Sequence, residues 1–174
     1  MKGKMILWLG LSVLFACKSM EVNQIDLIKS GIVVHVADTT IKAHVHEGKV
    51  DANLEYTYFW FDKGHINSSQ GSYSGKLLHG HFKSYHSQNK KLLTSGMIEH
   101  GLKTGKWLRW YENGNLKQRT DYKNGLLDGS AVLYDSSGKP TDTLKYRNGL
   151  LRVKTTDTIG IYNKIKRFLN FRKR

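Results

Sequence analysis

One cysteine and one proline occur in the 174 residues of this chain. A single thiol excludes an internal disulfide framework. Carboxylates are scarce too, with 14 Asp and Glu against 28 Lys and Arg, and they are scattered singly rather than paired for acid–base work. There is no Gly-x-Ser-x-Gly elbow, no His-Glu-x-x-His zinc helix and no phosphate loop, so the commonest hydrolase, metallopeptidase and nucleotide-binding signatures are missing. The sequence therefore points away from an enzyme, and no cofactor and no metal are expected. Apolar runs are short as well: none reaches the roughly 20 residues that a membrane-spanning helix needs, which excludes a multi-spanning chain.

What the sequence does have is glycine, aromatics and positive charge. Seventeen glycines with 6 Phe, 4 Trp and 9 Tyr predict many short strands separated by tight turns, because aromatics favour pleated surfaces and glycine permits φ above zero. A formal net charge of +14 implies attraction to something acidic: head groups, glycan, nucleic acid or an acidic protein.

The amino terminus has a secretion pattern. Lys2 and Lys4 precede the apolar stretch from Met5 to Phe15, too short to remain as a spanning helix. The stretch ends in Leu14-Phe15-Ala16-Cys17, which resembles the lipobox of bacterial lipoproteins. That resemblance implies cleavage before Cys17, acyl chains on Cys17 (a palmitate-type modification) and a membrane partner bound through that lipid. Each buried CH₂ contributes roughly 0.8 kcal/mol, so several chains hold firmly. Lys18 is not the aspartate that marks inner-membrane retention in enteric bacteria, so the outer membrane of the cell envelope is the expected location. Residues 1–16 are read as the signal peptide and 17–30 as a tether.

Residues 31–153 carry an internal repeat. Tyr73-Ser-Gly-Lys-Leu-Leu-His-Gly80, Ile98-Glu-His-Gly-Leu-Lys-Thr-Gly105, Tyr122-Lys-Asn-Gly-Leu-Leu-Asp-Gly129 and Tyr146-Arg-Asn-Gly-Leu-Leu-Arg-Val153 align at shifts of 25, 24 and 24, a repeat array. In the clearest copy Lys106 to Glu112 is strand-like, Asn113-Gly114 is a turn signal, and Asn115 to Lys123 returns as a second strand. Each unit reads as a β-hairpin that needs its neighbours for a core. The pattern Gly-x-Trp-x-x-Trp-Tyr-x-x-Gly-x-Leu followed by Tyr-x-x-Gly-x-x-x-Gly resembles the variant MORN repeat of bacterial proteins, over about residues 73 to 153. The resemblance implies an all-β fold, an elongated array of antiparallel hairpins. Ala131 replaces the first aromatic of the next copy and Pro140 stands in its leucine slot, which predicts a weakened edge there. Trp60 to Ile66 reads as an earlier, degenerate copy, and Ile32 to His46 as a further hairpin in which Val34, Val36, Ile41, Ala43 and Val45 alternate with polar residues.

Candidate contact residues follow from this reading. Leu54, Tyr56, Tyr58 and Trp60 fall at every second position, hence on one face of a strand. With Trp107, Trp110 and Tyr111 these aromatics form either an interaction surface or a packed sheet face. Two histidine pairs, His44 with His46 and His79 with His81, would each share a strand face, half of a metal site at most. Glu47 or His35 is the only visible complement for the first pair, and a solvated face accounts for both.

The tail from 154 to 174 changes period. Ile161, Tyr162, Ile165, Phe168 and Leu169 fit one face of a helix, while Lys164, Lys166, Arg167, Arg172, Lys173 and Arg174 supply positive charge without an intervening acid. A basic amphipathic helix is expected. It either folds back over the open edge of the last hairpin or lies on acidic membrane or an acidic partner. No nucleic-acid partner is expected. The function that fits is a lipid-anchored envelope scaffold that binds a protein or a membrane surface through its repeat sheet. The family resemblance adds the alternative of an antitoxin-like or immunity-type inhibitor, and an enzyme using His44, His46, His79 or His81 would require a metal.

Overall fold

Where this chain reverses is decided by glycine in the second place of two-residue loops. Lys63-Gly64, His100-Gly101, Asn124-Gly125 and Asn148-Gly149 all have positive φ at both positions, 46° to 49° and then 80° to 84°, the geometry of the type I′ turns that match strand twist. The computed structural model describes residues 30–152 and 158–173; residues 1–29 and Cys17 lie outside them.

The described residues form twelve strands and one helix: β1 (Gly31–Val36), β2 (Thr39–His44), β3 (Thr57–Asp62), β4 (His65–Gln70), β5 (Lys76–Leu77), β6 (Gly80–His86), β7 (Leu92–Glu99), β8 (Leu102–Trp110), β9 (Leu116–Lys123), β10 (Leu126–Tyr134), β11 (Pro140–Arg147), β12 (Leu150–Leu151) and α1 (Thr158–Lys173). The fold is all-β with one carboxyl-terminal helix, and antiparallel hairpins run through it. A nine-stranded sheet has the order β1-β2-β6-β7-β8-β9-β10-β11-β12, and a three-stranded sheet has the order β4-β3-β5.

The second sheet departs from the sequence reading. Residues 60–66 do form part of a hairpin, but β3 pairs with β4 and with β5 outside the array, and β2 pairs directly with β6. The reason lies in β3 itself. Tyr58 is buried on one face, while Phe59 and Phe61 on the other pack against the main core of Ala43, Val45, Leu78, Ile98 and Trp107. A strand apolar on both faces needs cover on both, and a layer crossing the array supplies it. The two sheets meet where Val45 bridges Leu78 and Phe59 N–H donates to Gly101 O at 2.8 Å.

Across the array a row of side chains alternates large with small. Cα partners link Phe82 to Gly96, Trp107 to Thr120, Thr120 to Ala131 and Ala131 to Leu144. Trp107 lies over Gly96, where a Cβ would come within 2.3 Å of the indole. Beyond Thr120 the row continues with Ala131 in the place of an aromatic. Phe168 of α1 fills that gap and packs on Ala131, Leu133 and Leu144. Its ring is 6.2 Å from that of Tyr146, almost the 6.3 Å that separates Trp107 from Tyr122 one repeat earlier. The expected weakness at Ala131 is thus met by an aromatic from outside the repeat. Arg167 pairs with the buried Asp142 at 3.2 Å and fixes the helix beside β11. Of the predicted apolar face, Phe168 is buried, whereas Tyr162 and Leu169 are exposed. Among the described residues no helix is long and apolar enough to cross a membrane.

Ala37-Asp38 closes β1 to β2 with two residues and no glycine, and the hairpins β6–β7, β8–β9 and β10–β11 use longer loops. Asn113-Gly114 is a turn with positive φ at Gly114 only, closed by Tyr111 N–H to Asn115 O at 2.9 Å. Its equivalent one repeat later is organised by Asp135, whose carboxylate accepts from the Ser137 hydroxyl at 2.6 Å and from the Ser137 and Lys139 amides at 2.9 and 3.0 Å. The Ser137 hydroxyl, followed by the Lys139 amide, holds the Asp135 carboxyl below its ordinary value of 3.8. A depressed carboxyl pKa stabilises the fold above the unfolded value, and the effect fades as pH falls through the folded one. Asp135→Ala should therefore melt lower than the wild type at neutral pH, and the difference should shrink below pH 3.8. A gap that stays constant in melting curves from pH 7 to pH 2 would count against the charged turn.

Candidate functional site

The face that carries the large–small row is open between Phe82 and Tyr122 and covered by α1 farther along. A groove of about 340 Å³ lies there, lined by Phe59, Ile98, Lys103, Trp107, Arg109 and Tyr122 among others. Strand pairing builds its floor. Trp107 sits on β8 and Tyr122 on β9, and each faces the groove because its partners across the ladder, Thr120 and Gly105, are small. The Trp107 Nε1–H donates to Met97 O at 3.2 Å, so the buried indole keeps its polar atom satisfied.

Lys103 projects over this floor. Its Nζ lies 4.4 Å from the Trp107 ring centroid, 4.9 Å from that of Phe59 and 5.5 Å from that of Tyr122. Three rings hold one ammonium through their negative faces. A neighbouring groove of about 420 Å³ shares Thr94 and Arg109 and continues past Trp110, Tyr111 and Lys117. Lys117 stands 5.3 Å over the Tyr111 ring. Together the two form one trough with an aromatic floor and three cationic residues, Lys103, Arg109 and Lys117, and with one carboxylate, Glu112, in its lining. Such a surface suits an acidic segment with an apolar or aromatic anchor.

The predicted contact aromatics are divided between roles. Trp107 forms the groove floor, and Trp110 and Tyr111 line the second half. The Tyr111 hydroxyl donates to Tyr134 O at 2.9 Å, and burial, then Asp135, pushes its pKa up. Tyr58 is 3% exposed, accepts from Asn53 N–H at 2.9 Å and packs on Tyr73. Trp60 donates its Nε1–H to Ser69 Oγ at 2.9 Å within the small sheet. Tyr56 precedes β3 and is half-buried. Of the basic tail, Lys164, Lys166 and Arg167 are exposed on α1, and Arg167 carries the pair with Asp142. The side chains of Arg172 and Lys173, and Arg174 altogether, lie outside the described residues. Lys103, Arg109, Phe59 and Phe82 were not anticipated; the alignment that placed Trp107 also places Phe82 at its position.

One of the two histidine pairs does not hold as predicted. Gly80, with φ of 92°, stands between His79 and His81 and breaks the alternation that would put them on one face. The first pair keeps its alternation, since buried Val45, bridged to Leu78, stands between the half-buried His44 and His46. Glu47 pairs instead with Lys76 at 2.8 Å, and His35 with Thr40 at 3.1 Å. His46 and His79 come together with a third residue that the pairing argument missed, His100. Ring centroids are 4.8 Å apart for His46–His100 and His79–His100 and 5.6 Å for His46–His79. Burial, then the neighbouring His100 and His46, lower the His79 pKa, and Glu99 opposes them. His79 Nδ1 accepts from the His100 amide at 3.3 Å.

Residues 103–124 match the family described as the MORN repeat variant. That segment is β8, its turn and β9, and it supplies Lys103, Trp107, Arg109, Lys117 and Tyr122 of the trough. No curated protein and no solved structure matches the chain.

Proposed function

We propose that this protein is a lipid-anchored binding scaffold of the bacterial cell envelope, whose MORN-type sheet receives an acidic segment of a protein partner in the trough between Phe59 and Lys117. The observation that carries this reading is the Lys103 ammonium held over Phe59, Trp107 and Tyr122 beside Arg109. Three features support it. The segment that matches a repeat family supplies Lys103, Trp107, Arg109, Lys117 and Tyr122 of the trough, the chain's charge is +14, and Leu14 to Cys17 has the lipobox pattern. The lipid on Cys17 would keep the sheet at a membrane, where it can capture a partner. An inhibitor of a toxin is the narrower form of the same reading, since its target would occupy the same cationic trough.

The test is a pull-down from membranes of the native host with three baits: wild type, Cys17→Ala, and Lys103→Glu with Arg109→Glu. Mass spectrometry of the amino-terminal peptide accompanies it. The wild type and Cys17→Ala should both capture one stoichiometric acidic partner, and Cys17→Ala should move to the soluble fraction. The double reversal should lose the partner by at least roughly tenfold, because like-charge juxtaposition costs several kcal/mol. Undiminished capture by the double variant would rule out the trough, and an unmodified Cys17 with unchanged fractionation would rule out the anchor.

A further inference from the structure

Three imidazoles converge where the two sheets join. His46 follows the bridge residue Val45, His79 links β5 to β6, and His100 occupies the β7–β8 turn. Their side-chain nitrogens lie within 4.8 Å of one another. We propose that His46, His79 and His100 bind a divalent transition-metal ion of the zinc class, with a fourth coordination position open to water or to a donor from a partner.

Geometry carries the assignment. With Zn–N bonds of roughly 2.0–2.1 Å and tetrahedral angles, three coordinated rings have centroids about 5.2 Å apart and donor nitrogens about 3.4 Å apart. The observed centroids, 4.8, 4.8 and 5.6 Å apart, already have that spacing. The nitrogens, within 4.8 Å of one another, must still close toward a common centre. Gly48 leaves room for the His46 ring, since a Cβ there would lie 2.5 Å from Nε2. Neutral imidazole suits zinc, copper and nickel, and it requires no carboxylate in a chain poor in acids. Loading through His79 Nε2 would release the long 3.3 Å bond from the His100 amide. His100 is exposed, so water can take that amide.

The repeat shows that this arrangement is particular to one junction. One repeat pair farther on, Asn148 N–H donates to Asp128 Oδ2 at 3.2 Å, the contact that His100 makes with His79. His100 thus stands in the slot of Asn124 and Asn148, and His79 in that of Thr104 and Asp128. Two histidines replace residues that the scaffold uses elsewhere, and His46 meets them from the preceding segment. Those sibling residues also supply substitutions that preserve the fold: His100→Asn keeps a side chain suited to φ of 47°, and His79→Thr restores the occupant of the next copy.

The experiment is titration of the full chain, without a histidine tag, with Zn²⁺ alone by calorimetry, alongside Co²⁺ absorption spectra. The wild type should bind one ion per chain, give a tetrahedral Co²⁺ spectrum and melt at a higher temperature with Zn²⁺. His100→Asn, His79→Thr and His46→Gln should each weaken binding by at least roughly tenfold, the lower range for disturbing even an outer-shell partner. Melting of His100→Asn in chelator should match the wild type, and His81→Asn should bind as the wild type does. Zinc binding that survives His100→Asn and His79→Thr, or that is equally lost in His81→Asn, would overturn the site.

Discussion

Trp107→Ala should destabilise the protein by about 3–5 kcal/mol, the range for deleting a large buried aromatic, and Gly96→Ala should do so by about 1–3 kcal/mol through overpacking. The two losses should not add. A Cβ on residue 96 would lie 2.3 Å from the Trp107 ring, so the indole is the nearest obstacle to an alanine there. Once the ring is gone, the extra methyl occupies part of the space it vacated. Gly96→Ala should then cost little in the Trp107→Ala background, and coupling of about 0.5–3 kcal/mol should appear in denaturant titrations of the four proteins. Strict additivity would mean that the backbone at Gly96, rather than the ring above it, limits that position. Lys103 rests on the same indole, so Trp107→Ala should also loosen the trough.

A second large effect is expected at the far end of the row. Phe168→Ala should cost about 3 kcal/mol, the low end for a buried phenylalanine, because Phe168 is 4% exposed and completes the cluster of Ala131, Leu133 and Leu144. Amide exchange should rise across α1 and along β10 and β11. Adding Ala131→Phe to that variant should restore much of the loss, since it returns to the repeat the aromatic that Phe82 and Trp107 provide in earlier copies. Protection of α1 should not return with it, because the new ring belongs to the sheet. If Ala131→Phe deepens the loss instead, Phe168 is not the stand-in for the missing repeat aromatic.

The parts of this fold that local spacing controls were legible in the sequence. Asn124-Gly125 and Asn148-Gly149 announce their turns, the hairpin from Ile32 is present, and the period of Ile161, Ile165 and Phe168 marks a helix. What depends on distant pairing was not. The separation of β3, β4 and β5 into their own sheet follows from Phe59 and Phe61 being drawn to the core opposite Tyr58, and alternation counted on one face alone hides the other. What fills the gap at Ala131 was hidden for the same reason, because Phe168 lies 37 positions away in α1. The histidines show the limit most clearly. Neighbours two apart in sequence were paired on the assumption of continuous strand, whereas Gly80 interrupts it and topology gathers His46, His79 and His100 from three elements. The repeat alignment itself held the better signal: a histidine in an asparagine slot, and another where aspartate or threonine stands in sibling copies.

The glycines of three of these tight turns also reach backward. Gly101 N–H donates to Leu78 O at 2.7 Å, Gly125 N–H to Lys103 O at 2.8 Å and Gly149 N–H to Leu127 O at 2.8 Å. At each of these joints a carbonyl of one copy thus accepts from the glycine N–H of the next, and donor and acceptor both advance by about one period per joint. In evolutionary terms the coupling is the same at each joint, so a whole copy duplicated or lost in the gene leaves compatible ends on both sides. An insertion of two or three residues within a copy leaves one glycine without its carbonyl. The length of such an array is therefore free to drift in steps of one repeat while its phase is held.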